Sequence, residues 1–137
     1  MVGDIINSSG KGVVTWVSED KESCMLMSVD ELLNKYWETS NDWCNNYGDG
    51  WRMPSIDELT LIHNDFSTIN ASLSNAGFTM LTTGNYCHWS NTVNPVNSEY
   101  YYRERLHDGY IFKNVGSDER YNSTANRTRA VKLIQIN

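Results

Sequence analysis

An α+β fold is predicted by three features of the sequence. β-patterned segments lie near both ends, at Val13 to Ser18 and Ala130 to Ile136. Helical stretches with capping signatures lie between them in the first half. The last third returns to branched and aromatic runs on either side of Asp108-Gly109. Strands, then helices, then strands is the order of an α+β chain rather than of alternating βα units. The 137 residues suit a single domain, 1–137, with a hydrophobic core. Five Trp, eight Tyr and three Phe support an ordered globule.

The elements follow in order. Val13-Val14-Thr15-Trp16-Val17-Ser18 is branched and aromatic, follows a Ser8-Ser9-Gly10 turn, and reads as a strand. Cys24-Met25-Leu26-Met27 reads as a second, shorter one. Ser28-Val29-Asp30-Glu31 has capping-box spacing, with Met27 and Leu32 where a hydrophobic staple would sit. A helix is expected to follow, carrying Leu33, Tyr36, Trp37, Trp43, Cys44 and Tyr47 on one side. Thr39-Ser40-Asn41 is a candidate interruption, and Gly48-Asp49-Gly50 is the expected end. Ser55 and Glu58 repeat the capping box with Pro54 just outside it. Ile56, Leu59, Ile62, His63 and Phe66 then recur at helical spacing. Ser67 can cap a further turn or two carrying Ile69, Leu73 and Ala76, which Gly77 ends. Beyond Phe78 the helical period is lost. The Asn- and Ser-rich sequence between 113 and 126 reads as long loops, and the alternation from Ala130 to Ile136 as a closing strand.

Composition excludes several classes. A net charge of −6 argues against nucleic acid as a partner. The charge is uneven: residues 1–66 hold four Lys/Arg against twelve Asp/Glu, and residues 67–137 hold seven against five. No run has the length of a transmembrane helix, and no basic-then-apolar start marks a signal segment, so direct membrane insertion is not expected. Cys24, Cys44 and Cys87 are too few and too scattered for a disulfide framework and read as small buried apolar residues. His63, His88 and His107 lack metal-ligand spacing, so no metal or cofactor is expected. No nucleophile stands beside a base, and neither Gly-x-Ser-x-Gly nor a phosphate loop occurs, so no enzymatic activity is expected. All five tryptophans are assigned to packing, and Arg52 to an ion pair with a carboxylate of the second helix.

The unusual stretch runs from Tyr86 to Val131. Tyr, Arg, His, Asp and Phe crowd together there, and Asp108-Gly109 between the two runs is a hairpin signal. Alternation along the strands puts Tyr102, Glu104, Leu106 and Ile111 inward. It puts Tyr101, Arg103, Arg105, His107, Tyr110 and Phe112 outward. Glu104 then needs a buried donor, with Arg127 and Arg129 as candidates. The outward row, Asp108 at the turn, and His88, Asn91, Val93 and Asn94 from the preceding segment form the candidate ligand-binding set. Exposed Tyr and Arg bring large contact area at low conformational cost.

A family resemblance rests on several motifs, Ile69-Asn70 through Leu73 among them. Gly50-Trp51-Arg52-Met53-Pro54-Ser55-Ile56-Asp57-Glu58-Leu59 resembles the Gly-Trp-x-Leu-Pro-(Ser/Thr)-x-x-Glu-Leu signature of bacterial C-type-lectin-like domains. Trp43-Cys44 upstream, Trp89-Ser90-Asn91-Thr92 (usually Trp-Ser-Ser-Thr) and Arg127-Thr128-Arg129-Ala130-Val131 (usually Arg-Val-Arg-Ala-Val) keep the family's order. The family includes C-terminal domains of collagen-like adhesins and the variable proteins of diversity-generating retroelements. The resemblance implies a small, mostly antiparallel sheet flanked by two helices, with the N- and C-terminal strands paired. It also implies ligand contacts on the late strands and loops. Calcium-dependent lectins use Glu-Pro-Asn or Gln-Pro-Asp and Trp-Asn-Asp. Asn94-Pro95-Val96 and Trp89-Ser90-Asn91 lack those carboxylates, so a calcium-bridged sugar site is not expected. The related formylglycine-generating enzymes use paired late cysteines, and only Cys87 lies in that half.

The resulting expectation is a binding module for a protein or glycan partner, at the cell surface, outside the cell or on a phage. Oligomers are compatible with it. The alternative is a structural subunit of a surface or phage appendage that uses the same face for assembly. Retroelement systems randomise adenines, chiefly in asparagine codons, which cannot yield Lys, Glu, Gln, Met or Trp. The candidate set contains none of these five types.

Overall fold

Runs of branched and sulfur-bearing residues, buried on both faces, build the first sheet. In the computed structural model, which describes residues 1–113 and 126–136, the chain opens with β1 (Ile5–Asn7), β2 (Lys11–Val17) and β3 (Ser23–Ser28). A two-residue strand β4 (Leu32–Leu33) leads into α1 (Trp37–Asn45), α2 (Ile56–Asn64) and α3 (Phe66–Asn75). Then come β5 (Cys87–Val93), β6 (Tyr101–Arg105), β7 (Tyr110–Phe112), β8 (Asn126–Thr128) and β9 (Val131–Gln135). The fold is α+β. A four-stranded sheet runs β1-β2-β3-β9, and a five-stranded sheet runs β4-β8-β5-β6-β7. All pairings are antiparallel except β5 with β8. The loops expected between 113 and 126 lie outside the described residues.

Both faces of the first sheet are covered. Val13, Met25, Met27 and Val131 pack with Leu59, Ile62, Ile69 and Leu73 of α2 and α3. Val14, Cys24, Leu26 and Ala130 pack with Trp37, Cys44, Trp51, Met53 and Trp89. Neighbours in sequence thus serve opposite cores, because successive strand side chains point to opposite faces. The three cysteines are buried, and no disulfide joins them.

Three expectations are corrected. The terminal strands share a sheet but do not pair: β9 pairs with β3, which separates it from β2. The spacing at Ser28 and Glu31 does not start a helix. Ser28 ends β3, where its hydroxyl accepts from the Ala130 amide at 3.0 Å and donates to the Asp30 carbonyl at 2.8 Å. The first helix begins only at Trp37 and runs unbroken through Thr39-Ser40-Asn41. The helical stretch after Ser55 is divided at Asp65, so the described residues hold three helices rather than two.

The second capping box does form. Glu58 N–H donates to Ser55 Oγ at 3.2 Å, and Ser55 N–H donates to Glu58 Oε1 at 2.8 Å. Arg52 joins it with a two-pronged ion pair, both nitrogens at 2.7 Å from the Glu58 oxygens. That fork reinforces a carboxylate already favoured by the helix N-terminus. Burial pushes Glu58 up, but Arg52 and Ser55 outweigh it and hold the carboxyl below its ordinary value.

Candidate functional site

The sequence motifs meet in space and build a frame. Trp51 is buried, and its indole N–H donates to the Ser8 carbonyl at 3.1 Å. Arg52 and Val131 exchange backbone hydrogen bonds of 3.0 and 2.8 Å. Trp89 is fully buried, with its indole donating to the Lys35 carbonyl. Ser90 Oγ donates to the Tyr102 carbonyl, Asn91 donates to the Met53 carbonyl at 3.1 Å, and Thr92 Oγ1 accepts from the Ile56 amide at 2.9 Å. The Trp-Ser-Asn-Thr segment therefore grips the start of α2 with one side and β6 with the other.

That grip fixes where β6 and β7 lie. In their pairing Arg105 faces Tyr110 and Arg103 faces Phe112, so all four side chains share the outer face. Tyr110 and Phe112 meet edge to face at 4.7 Å between ring centroids. The Arg105 guanidinium stands over both rings at 5.3 and 5.7 Å. Asp108 clamps the same guanidinium: its Oδ2 accepts from Nη2 and Nε at 2.7 and 3.0 Å, and its Oδ1 accepts from the Tyr110 amide. Those bonds, Arg105 first, hold the Asp108 carboxyl down at about 2. The turn is a four-residue loop, 106–109, rather than a two-residue one. The Gly109 amide donates to the Arg105 carbonyl at 2.7 Å. Gly109 has φ +77°, and a Cβ there would lie 2.8 Å from the His63 ring. A side chain at 109 would therefore meet both backbone strain and a clash.

The candidate set divides on this geometry. Tyr110 is 56% exposed, Val93 40% exposed, and Asn91 and Asp108 are exposed. Arg105 and Phe112 are half-buried on the outer face, while His107 is half-buried at the end of the turn, where it lines a cavity with His63 and Phe66 at the α2–α3 junction. Tyr101 is half-buried, its ring stacked on Trp37 with centroids 3.7 Å apart. Three residues are corrected. His88 is buried and pairs with Glu31 at 3.0 Å instead of flanking the surface. Asn94 is buried and shapes its own loop, accepting from the Val96 and Asn97 amides and donating to the Lys113 carbonyl. Arg103 shares the outer face but is covered. Its guanidinium lies between the Trp89 and Phe112 rings and donates to Asn126 at 2.7 Å. On the inner face Leu106 is buried as expected, while Tyr102 and Ile111 are only half-buried. Glu104 is fully buried but takes neither candidate arginine. Its partner is the Thr60 hydroxyl of α2.

A buried charged centre lies behind the site. Glu31 Oε1 accepts from His88 Nε2 and, at 3.3 Å, from Arg129 Nε. Arg129 is wholly buried and also donates to the carbonyls of Ser28, Val29 and Thr79. Burial pushes His88 down against the pull of Glu31, which favours a neutral ring. The unpartnered buried Nδ1 fits that state, since a lone pair there costs less than an unmet N–H. Burial pushes Glu31 up, but His88 and Arg129 reverse the direction and keep it ionised. Glu31 reads locally as a capping residue. Its role follows from partners 57 and 98 positions away. The sequence makes Arg129, just before the closing strand, a candidate donor for Glu104, but its buried counter-charge is Glu31 instead.

No protein-family model and no curated protein matches the chain. Among the described residues, no group of three or more His, Cys, Asp or Glu is placed to hold a metal ion. Among the same residues, no helix is long and apolar enough to cross a membrane.

Proposed function

We propose that this chain is a ligand-binding module of the C-type-lectin-like kind, without enzymatic activity or cofactor. It holds a protein or glycan partner on the outer face of the β6–β7 hairpin. The contact residues are Arg105, Asp108, Tyr110 and Phe112, with Asn91, Val93 and Tyr101 at the border and His107 at the end of the turn. The observation that carries this reading is the ordered aromatic–cation cluster. Tyr110 stays more than half exposed although its ring is fixed by Phe112 and Arg105. Rigid, exposed aromatic area binds with little loss of conformational freedom. The family resemblance supports the same face and a location at the cell surface, outside the cell or on a phage.

The test is a parallel screen of the wild type and the double variant Arg105→Ala/Tyr110→Ala against a glycan array and displayed surface proteins, with and without chelator. A partner bound by the wild type alone, regardless of chelator, supports the reading. Capture that survives the double change removes this face as the site. Calcium-dependent capture would reverse the reading of the Asn94-Pro95 loop. Adenine-specific mismatches between the gene and a neighbouring near-identical repeat, concentrated at these codons, would establish that the face is diversified.

The second reading, an assembly subunit, is favoured by the outer edge of β9. Val131 directs both backbone groups away from β3 towards Arg52. By the strand period Leu133 and Gln135 direct theirs the same way, and Leu133 is 51% exposed. Sedimentation at several concentrations separates the two: a stable oligomer unaffected by the hairpin changes favours assembly.

A further inference from the structure

Glu104 lies under the hairpin face, fully buried on the opposite side of β6 against α2. Its Oε1 is 2.8 Å from Thr60 Oγ1, and the same hydroxyl is 3.1 Å from the Ile56 carbonyl oxygen one turn earlier. A hydroxyl has one proton to give. If Glu104 were ionised, Thr60 would face two acceptors and could satisfy only one. A proton on Glu104 resolves this: the acid O–H donates to Thr60 Oγ1, and the threonine proton goes to Ile56. The other carboxyl oxygen, Oε2, is buried with no hydrogen-bond partner among the described residues. An unmet carbonyl-type oxygen costs far less than an unmet charged one. We propose that Glu104 is a neutral carboxylic acid that clamps the β6–β7 hairpin to α2, and that its ionisation releases the hairpin.

Among the described residues, no cationic side chain is hydrogen-bonded to Glu104. His63 on α2 is the nearest candidate, but its Nδ1 lies 2.6 Å from the Leu106 carbonyl, so in either charge state that proton goes to backbone. Across the ladder on β5, His88 is directed to Glu31. Arg103 and Arg105 of β6 itself are on the opposite face, engaged with Asn126 and Asp108. β7 offers uncharged Ile111 opposite Glu104. Asp57, one turn before Thr60 on α2, is exposed, and Asp108 in the turn is negative. Burial is the dominant influence and raises the Glu104 carboxyl to about 7, against Thr60 and His63 and with some help from Asp108.

The sign follows. The folded value lies above the ordinary 4.5, so the folded chain keeps a proton that the unfolded chain releases. The stabilisation is complete below about 4.5 and is lost as pH rises through about 7. The regulatory meaning rests on the binding face proposed above, but the test needs no partner. Amide hydrogen exchange of residues 105–112, corrected for intrinsic pH dependence, is compared at about pH 5.5 and about pH 8.5 in the wild type and Glu104→Gln. The wild type should lose at least about tenfold in protection, the factor that one pKa unit supplies. Glu104→Gln, which keeps a donor towards Thr60 at every pH, should stay level. Unchanged wild-type protection, or an equal loss in Glu104→Gln, overturns the proposal. If the variant does not fold, carboxyl ¹³C titration of wild-type Glu104 decides: a midpoint near 7 supports the clamp, and one near 4.5 ends it. A hairpin that is pH-gated but captures nothing would sink the binding reading alone.

Discussion

The motif-built frame and the hairpin face use the same residue types in opposite ways. In the frame, side chains reach partners far away in sequence: Thr92 to Ile56, Asn91 to Met53 and Ser28 to Ala130 lie 36, 38 and 102 positions apart. On the hairpin face the strongest polar contact, Arg105 to Asp108, spans three positions. Frame tryptophans are buried with their N–H groups satisfied, whereas Tyr110 is exposed. Long-range, buried contacts make a region intolerant of change. Short-range, exposed ones leave neighbours free to vary. The contrast separates the contacts that hold the fold from a face whose side chains can change at little cost to it.

Four substitutions probe this contrast, in falling order of effect. Trp51→Ala should be the most damaging, at about 3–5 kcal/mol in urea unfolding, because a fully packed indole and its bond to Ser8 are lost. A stable Trp51→Ala that loses only partner binding would merge the two regions. Glu31→Gln should cost about 1.5–3 kcal/mol, since Arg129 loses its buried counter-charge but keeps three backbone carbonyls. Unchanged thermal stability would mean the buried centre carries no charge. Ser55→Ala should cost about 1 kcal/mol through the lost helix cap, and a cost near zero would show that Arg52 alone orders Glu58. Tyr110→Ala should alter stability by no more than about 0.5 kcal/mol. A larger loss would make Tyr110 part of the frame.

What the sequence made legible follows the same division. The capping box at Ser55 and the hairpin at Asp108-Gly109 are local, so spacing alone identified them. Ser28 and Glu31 have identical spacing, yet no helix forms there because Ala130, His88 and Arg129 claim those side chains first. Alternation correctly turned Glu104 inward and Tyr110 outward. It did not identify Thr60 as the partner, nor did it foresee Arg103 covered between Trp89 and Phe112. The exchange of β2 for β3 as the neighbour of β9 has the same cause. Both strands are apolar on both faces, so patterning does not rank them as partners.

Gly109 stands apart from the surface it helps to form. Its neighbours Asp108 and Tyr110 point to solvent, but its own backbone geometry and the His63 ring behind it disfavour any side chain. Substitutions on this face therefore take place about a fixed pivot. Chemistry can change on both sides of position 109 while the path of the chain through it does not. A side chain at 109 would strain the turn and press on His63, and so disturb the orientation in which the whole hairpin face is presented.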